Sequence, residues 1–148
     1  MESKLITLTP DKWGLIEELG NSKALDLDKV KSMVKQYLNM AKMLLDNDLH
    51  YQSIISRAYY SMYHAVRAAV YIQMRLDVQT HKDLVRKFRK VLIKIYKDDS
   101  LGILLDDWRI NRNRCDYNPF VVATRELCEK SIEDAEAILK VCKNLMVV

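Results

Sequence analysis

The chain has 148 residues, of which 49% are hydrophobic and 30% are charged, and its formal net charge is +4. This length suits one domain with its own hydrophobic core, and the composition excludes a disordered chain. The mild positive charge permits a nucleic-acid partner but does not require one. Three glycines and two prolines predict long helices with few breaks.

The cysteines and the first residues bear on the cellular compartment. There are three cysteines without a CxxC pair, which argues against a disulfide framework or a zinc site and favours the reducing cytoplasm. The opening MESKLITLTP lacks the apolar core of a signal peptide. Charged residues interrupt the most apolar stretch, 54–76, so a membrane span is not expected. We expect a soluble cytoplasmic protein without a cofactor or metal.

Residues 1–24 show no sustained pattern and are predicted to form an N-terminal extension, followed by one helical domain over 25–148. A short helical piece is expected after Thr9-Pro10-Asp11, because proline suits the first turn of a helix. The first long helix is predicted from Asp26 to about Leu49. Its apolar residues follow the three-four spacing of one buried stripe. They are Val30, Val34, Tyr37, Leu38, Ala41, Leu44 and Leu45.

The second and third helices are predicted over 51–76 and about 80–97. The buried face of the second helix mixes small and large side chains, which suits close helix packing. Its members are Ile55, Ala58, Tyr59, Met62, Val66, Ala69 and Val70. Thr80 and Asp83 resemble a capping box at the start of the third helix.

A fourth helix is predicted over 100–117, where Asn118-Pro119 ends it, and a fifth runs from near Thr124 to the chain end. The buried stripe of the fifth helix is Cys128, Ile132, Ala135, Ile138, Leu139, Cys142 and Leu145. No segment shows sustained period-two alternation, so no strand is predicted. The sequence therefore predicts an all-α fold, an antiparallel up-and-down bundle of four to five helices with a short irregular N-terminal segment.

The third helix carries seven cations and one acid. The cations fall on one side of the helix and most apolar residues on the other, at about 100° per residue. The apolar side is Leu84, Val85, Phe88, Val91, Leu92, Ile95 and Tyr96, and Ile93 departs from it. The term basic ridge denotes Lys82, Arg86, Lys90, Lys94 and Lys97. This ridge either neutralises the phosphates of RNA or a nucleotide or is a solvated helix face.

The second helix carries a polar stripe at three- or four-residue spacing. It consists of Arg57, Tyr60, His64, Arg67, Tyr71 and Arg75. Tyrosines favour half-buried positions, so the stripe is interpreted as a subunit interface or as one wall of a polar cleft. The alternative is that its arginines extend along the helix to reach water.

The segment RNRCDY (112–117) concentrates polar residues near the end of the fourth helix. Arg112 and Asp116 stand four residues apart and can pair along the helix, and Arg109 shares that side. Arginines near a helix C-terminus also complement its dipole. No Gly-rich phosphate loop, HExxH or G-x-S-x-G pattern occurs in the sequence.

Three segments together resemble the HEPN family of small all-helical proteins: SRAYYSMYHAVRAAV (56–70), THKDL (80–84) and RNRCDY. They occur in the family's order, and the resemblance covers most of 26–145. The chain is most similar to the small prokaryotic branch with an Arg-x-x-Ala-Asp-Tyr signature, in which Cys115 here replaces the alanine.

The resemblance implies a four- to five-helix bundle that forms a homodimer through the face with the polar motifs. It also implies a minimal nucleotidyltransferase partner in a toxin–antitoxin or stress system, and RNA or nucleotide binding. Many relatives are metal-independent ribonucleases with an arginine, four to six residues, and then a histidine. In those enzymes histidine acts in acid/base chemistry and arginine stabilises the phosphorane charge.

Arg112 matches the signature arginine, but Tyr117 stands at the first histidine position and no histidine follows His81. Because tyrosine titrates near pH 10, it is a poor base at neutral pH. Three readings remain. The first is a binding or partner module with Arg57, Tyr60, His64, Arg109 and Asp116 in its cleft or dimer face. The second is a ribonuclease that uses Arg112 with Tyr117 or His81. The third is a purely structural interaction module.

Overall fold

The computed structural model describes residues 25–147, so the helical piece expected after Thr9 lies outside the described residues. Within this range the chain forms five α-helices and no strand, which confirms the predicted all-α bundle. The helices are α1 (Leu27–Asp46), α2 (Tyr51–Met74), α3 (His81–Tyr96), α4 (Ser100–Tyr117) and α5 (Arg125–Leu145).

Side chains at the helix starts explain two of these boundaries. The Asp26 carboxylate accepts a hydrogen bond from the backbone N–H of Lys29 at 3.1 Å, and the Thr124 hydroxyl accepts one from the N–H of Leu127 at 3.1 Å. Each satisfies a backbone donor that the first helical turn leaves free. The expected capping box at Thr80 is wrong: among the described residues its side chain makes no cap hydrogen bond, and Asp83 pairs with Arg86 instead.

Helix α2 lies at the centre of the bundle and contacts each of the other four helices. This position accounts for its sequence, since a helix with neighbours on most sides needs small residues for close approach and large ones to fill space. The face predicted to be buried is buried throughout. Its largest fully buried side chains include Tyr59, Ile55 and Met62.

Helix α3 packs only one side against the bundle. Leu84, Phe88 and Leu92 are buried, as the apolar periodicity predicts. Ile95 and Tyr96 were also expected on the buried side, but they are 43% and 45% exposed. They occupy the last turn of α3, beyond the point at which the neighbouring helices cover it.

The connection between α2 and α3 is fixed to α2 by two polar contacts. The Arg67 guanidinium donates to both carboxylate oxygens of Asp77, from Nε at 2.6 Å and from Nη2 at 2.9 Å. The hydroxyl of Tyr63 donates to the backbone oxygen of Gln79 at 2.5 Å. Both side chains of the ion pair are largely buried. Because these contacts hold residues 77–79, they determine where His81, the first residue of α3, meets α2.

No helix in the described range combines the length and the apolar character that crossing a bilayer would require.

Candidate functional site

Arg112 lies at the junction of α4 and α2. It is only 9% exposed, and its Cζ lies 5.1 Å from the ring centre of Tyr60 and 5.6 Å from that of Tyr59. These are cation–π distances. The Nη1 atom approaches Asp116 Oδ2 at 3.4 Å, and Nε has no hydrogen-bond partner among the described residues. The guanidinium is therefore buried with part of its hydrogen-bonding capacity unused.

His81 enters the same site from the start of α3. Its Nδ1 lies 2.5 Å from the hydroxyl oxygen of Tyr59, and its ring stacks on Tyr63 at 4.5 Å between centroids. Tyr59 is thus a shared neighbour, because its ring contacts Arg112 and its hydroxyl contacts His81. The fold brings together an arginine and a histidine that are 31 residues apart in the sequence.

The charge state of this site follows from burial and from two arginines. Burial lowers the pKa of His81, and the positive charges of Arg112 and Arg109 lower it further. Burial raises the pKa of Tyr59 well above its ordinary value of 10, against the opposing effect of the same two arginines. At neutral pH the imidazole is therefore uncharged and the phenol keeps its proton. The positive charge in the site belongs to the arginines.

An aromatic cluster surrounds these groups. It consists of Tyr37, Tyr59, Tyr60, Tyr63, His64 and His81, whose neighbouring rings lie 4.5–6.5 Å apart. His64 is 8% exposed and stacks on Tyr37 of α1 at 5.6 Å. Its Nδ1 is buried and, within residues 25–147, has no hydrogen-bond partner. Burial lowers the pKa of His64, and Arg67 and His81 lower it further.

The structure separates the other predicted site residues into two groups. Arg109 and Asp116 lie on the Arg112 side of α4, and Arg109 donates from Nε to Asp106 at 2.7 Å. Tyr117 is 76% exposed. It lies about 140° around the helix from Arg112, since successive residues turn by about 100°. The geometry therefore groups Arg112 with His81 and leaves Tyr117 on another face.

The polar stripe of α2 is half-buried inside the chain. Tyr60 and His64 join the aromatic cluster, and Arg67 holds the α2–α3 connection. Arg57 directs its Nε toward the sulfur of Met40 on α1. Most of this stripe packs against α1 and the connection, and Arg75 at its end is exposed.

The basic ridge lies on the solvent side of α3, and all five of its members are exposed. Arg86 pairs with Asp83, whereas no ion pair to the four lysines occurs among the described residues. Lys82 directly follows His81, so the ridge begins beside the Arg112 site and continues away from it along α3. In the described part of the chain, no three His, Cys, Asp or Glu side chains converge to hold a metal ion.

Two residues of this site did not emerge from motif spacing alone. Tyr59 was assigned to the core, where it is, but its hydroxyl also contacts His81. His81 entered the sequence analysis only as an alternative to Tyr117 in the ribonuclease reading. The order of the three family segments was the available signal, since THKDL is one of them.

Comparison with known proteins identifies the family of this chain. No curated protein matches the sequence. The model of the HEPN domain matches residues 29–145, which is most of the chain. This match covers all five helices except the first two residues of α1, and it contains the three segments on which the resemblance rested. The chain belongs to the HEPN domain family.

Proposed function

We propose that this HEPN-domain protein binds a phosphate-bearing ligand, RNA or a nucleotide, at the site formed by Arg112, Tyr59, Tyr60 and His81. The observation that carries the proposal is the state of Arg112. Its guanidinium is buried over two tyrosine rings, its Nε is unpaired among the described residues, and its one carboxylate contact is long at 3.4 Å. A buried charge is costly unless it is well paired. A phosphate would supply the missing acceptors.

The surroundings favour an anion. Arg109 adds a second guanidinium, and the neutral His81 ring can donate or accept a hydrogen bond. His81 is also the first residue of the 16-residue helix α3, whose N-terminal backbone N–H groups carry partial positive charge. Arginine forms paired hydrogen bonds with phosphate oxygens. These groups meet at one end of α3.

The rings and the basic ridge favour a nucleic-acid ligand. Bases stack on tyrosine and histidine rings, and lysines neutralise backbone phosphates. Tyr60 is half-buried at the site, and the exposed basic ridge starts at Lys82, the residue after His81. A single-stranded RNA could therefore place one phosphate at Arg112 and its neighbours along α3.

Fluorescence anisotropy with a labelled single-stranded RNA tests the proposal. Arg112→Gln should weaken binding at least about tenfold, as expected for loss of a charged contact of ~1.4 kcal/mol or more. Arg75→Gln removes the same charge from an exposed position and should change affinity little. Circular dichroism of each variant, together with the charge-conserving variant Arg112→Lys, distinguishes loss of binding from loss of fold. Equal affinities for the Arg112 and Arg75 variants would contradict the proposal.

A second candidate function is metal-independent ribonuclease activity, and the proximity of His81 to Arg112 favours it. The sequence motif lacks its histidine, but His81 and Arg112 share Tyr59 as a neighbour, and the charge of Arg112 lowers the pKa of His81. If Nδ1–H of the neutral ring donates to the Tyr59 oxygen, Nε2 carries a free lone pair, which can accept the proton of the attacking ribose 2′-OH and leave an imidazolium. Arg112 would stabilise the charge on the phosphorus centre.

Cleavage of RNA in the presence of a chelator distinguishes binding from catalysis. If the chain is a ribonuclease, His81→Asn should abolish cleavage while lowering RNA affinity much less than Arg112→Gln does, and Tyr117→Phe should cleave normally. If the well-folded protein binds RNA without cleaving it, only the binding function remains. Absence of both would favour a purely structural interaction module.

The family suggests the biological setting of this site. We propose a cytoplasmic homodimer that acts with a minimal nucleotidyltransferase in a toxin–antitoxin or stress system. Family membership supports this proposal, and the odd number of cysteines fits a reducing compartment. Co-purification of the tagged chain from its own cells, followed by identification of bound proteins, tests the partner.

A further inference from the structure

A groove opens between the start of α1, the middle of α2 and the end of α5, and its volume is about 670 Å³. All three helices contribute to its apolar lining, which includes Val30, Val34, Ala65, Ala68, Leu139 and Met146. The alanines are buried, whereas Val34, Leu139 and Met146 are only half-buried. A concave apolar surface of this size is typical of a binding site.

Three lysines border this apolar lining. Lys31, Lys35 and Lys143 are exposed, and the described part of the lining contains no carboxylate side chain. No ion pair to any of the three lysines occurs within residues 25–147. The groove therefore fits an occupant that combines apolar side chains with negative charge.

The groove is separate from the Arg112 site. Ala68 follows Tyr59 by nine residues, so the two lie on opposite sides of α2 at about 100° per residue. Tyr59 lies beside Arg112, whereas Ala68 lines the groove. What occupies the groove is therefore independent of RNA binding.

The sequence of the N-terminal extension contains a segment with the required character. A helix is predicted over 11–19, after a proline start signal and before a Gly-Asn turn signal. Its large apolar residues fall on one side, within about 160° of one another. They are Trp13, Leu15, Ile16 and Leu19. Glu17 and Glu18 fall just beyond the two edges of this side, and Lys12 falls within it, in the first turn, where a long side chain can extend to water.

This segment is near the groove along the chain. Helix α1 begins after Asp26, and Val30 and Val34 lie about 6 and 12 Å from that residue along the axis, at about 1.5 Å per residue. The connecting residues 20–25 span up to about 20 Å when extended. The chain is therefore long enough for residues 11–19 to fold back onto the first turns of α1.

We propose that residues 11–19 dock in this groove of their own chain as an amphipathic helix. The apolar side of the segment packs on the apolar lining, as in other complexes of a helix with a groove. Glu17 and Glu18 lie beside the bordering lysines, so the charges are complementary. Docking joins the N-terminal extension to the end of α5.

The fluorescence of Trp13 tests the proposal. The chain has two tryptophans, and the second, Trp108, is only 3% exposed. Subtracting the spectrum of Trp13→Phe from that of the unsubstituted chain isolates Trp13. Docked Trp13 should emit at a shorter wavelength than free tryptophan, and acrylamide should quench it several times less. This protection should not change on dilution, because the docking is intramolecular.

Charge reversal supplies the second measurement. Replacing Lys31, Lys35 and Lys143 together by glutamate should lower the docking equilibrium constant about tenfold, since each exposed ion pair contributes little by itself. The quenching of Trp13 should then increase. Adding Glu17→Lys and Glu18→Lys to that variant should restore the protection. The matched control replaces Lys82, Lys90 and Lys94, which are exposed on α3, by glutamate and should leave Trp13 protected. Circular dichroism verifies that each variant is folded.

Three results would overturn the proposal. The first is quenching of Trp13 in the unsubstituted chain as strong as that of free tryptophan. The second is protection that falls on dilution, which would assign the groove to a second copy of the chain. The third is an equal effect of the two triple variants. Native mass spectrometry of the unsubstituted chain shows whether a small apolar molecule is bound, and such a molecule together with an exposed Trp13 would also overturn it.

Discussion

His81 and Tyr59 join the first residue of α3 to the buried face of α2, through a 2.5 Å contact between the imidazole Nδ1 and the phenol oxygen. Tyr59 is only 1% exposed, and its ring also lies under Arg112. This contact therefore joins a buried core residue, Tyr59, to a candidate functional residue, His81. The orientation of the histidine is thus set by the core and not by a surface loop. Preorganisation of this kind is typical of functional sites.

Removing the Tyr59 hydroxyl should take away one contact of His81 while the rest of the site stays in place. Tyr59→Phe keeps the ring under Arg112 and loses one hydrogen bond, which should lower the free energy of unfolding by about 1 kcal/mol. Tyr96→Phe, at a position 45% exposed, should cost much less. Urea denaturation measures both. A Tyr59→Phe chain as stable as the unsubstituted one would show that the hydroxyl contact contributes nothing net.

The stability of the fold should depend on pH through its buried histidines. Burial lowers the pKa of both His64 and His81 below the ordinary 6.5. The folded chain keeps these rings neutral where the unfolded chain binds protons. Their contribution to the free energy of unfolding is therefore complete above about pH 6.5 and is lost as the pH falls through the folded-state pKa.

A titration variant isolates this effect. His64 is surrounded by Tyr37 from α1, by Tyr60, Tyr63 and Arg67 from α2, and by His81. No carboxylate is among these neighbours, so the protonated ring would meet only aromatic faces and positive charge. His64→Gln should flatten the loss of stability between pH 7 and 5, measured by urea midpoints. His50→Gln, at an exposed position, should leave the slope unchanged.

The fold could be predicted because its helices are long and their apolar residues periodic. The observed end of α2, Met74, differs from the predicted one by two residues, since Arg75 adopts a left-handed conformation that no residue-type rule requires of arginine. The prediction that Ile95 and Tyr96 lie on the buried side of α3 was wrong for a different reason. Periodicity identifies the apolar side of a helix, but it does not say how far a neighbouring helix extends along it.

The site was less predictable because it depends on contacts between distant segments. Spacing along α4 identified Arg112 with Asp116, and this pair is present at 3.4 Å. Spacing cannot place His81, since that position depends on the Arg67–Asp77 pair and on the Tyr63 hydroxyl that fix the α2–α3 connection. Tyr117 was predicted as a site residue because of its position in the motif, but its side chain lies at the surface, on another face of α4 than Arg112.

Salt dependence should show whether the basic ridge takes part in RNA binding. Lys82, Lys90 and Lys94 are exposed on one side of α3, and each phosphate contact with a single strand contributes about 0.7 to the slope of log affinity against log salt. Replacing all three by glutamine should reduce the slope by up to about 2. The matched control replaces Lys31, Lys35 and Lys140, which are exposed on α1 and α5. Identical slopes for the two triple variants would remove the ridge from the binding surface.

A buried polar contact between α4 and α5 should be a large single contribution to stability. Trp108 donates from Nε1 to Asp134 Oδ2 at 2.9 Å, and the Asp134 residue is 5% exposed. Asp134→Ala leaves the indole N–H buried and unpaired, so it should lower the free energy of unfolding by about 2–3 kcal/mol. Lys130 pairs with Asp134 and with the exposed Glu133, each at 3.0 Å, so Glu133→Ala is the matched control, and it should cost less than ~1 kcal/mol. Equal losses in the two variants, measured in urea, would refute this assignment.

Gly102 allows α3 and α4 to approach closely near their connection. A Cβ at this position would overlap Cγ of Arg89, whose Nε pairs with Asp99 at 2.8 Å. Gly102→Ala should therefore destabilise the chain by about 1 kcal/mol, because overpacking outweighs the better helix propensity of alanine.

In an Arg89→Ala background the obstruction is gone, so the same glycine substitution should stabilise the fold by up to ~1 kcal/mol. The sign reversal between the two backgrounds is what a double-mutant cycle in urea measures. A Gly102→Ala effect of the same sign and size in both would mean that the backbone of α4, and not the side chain of Arg89, limits the space there.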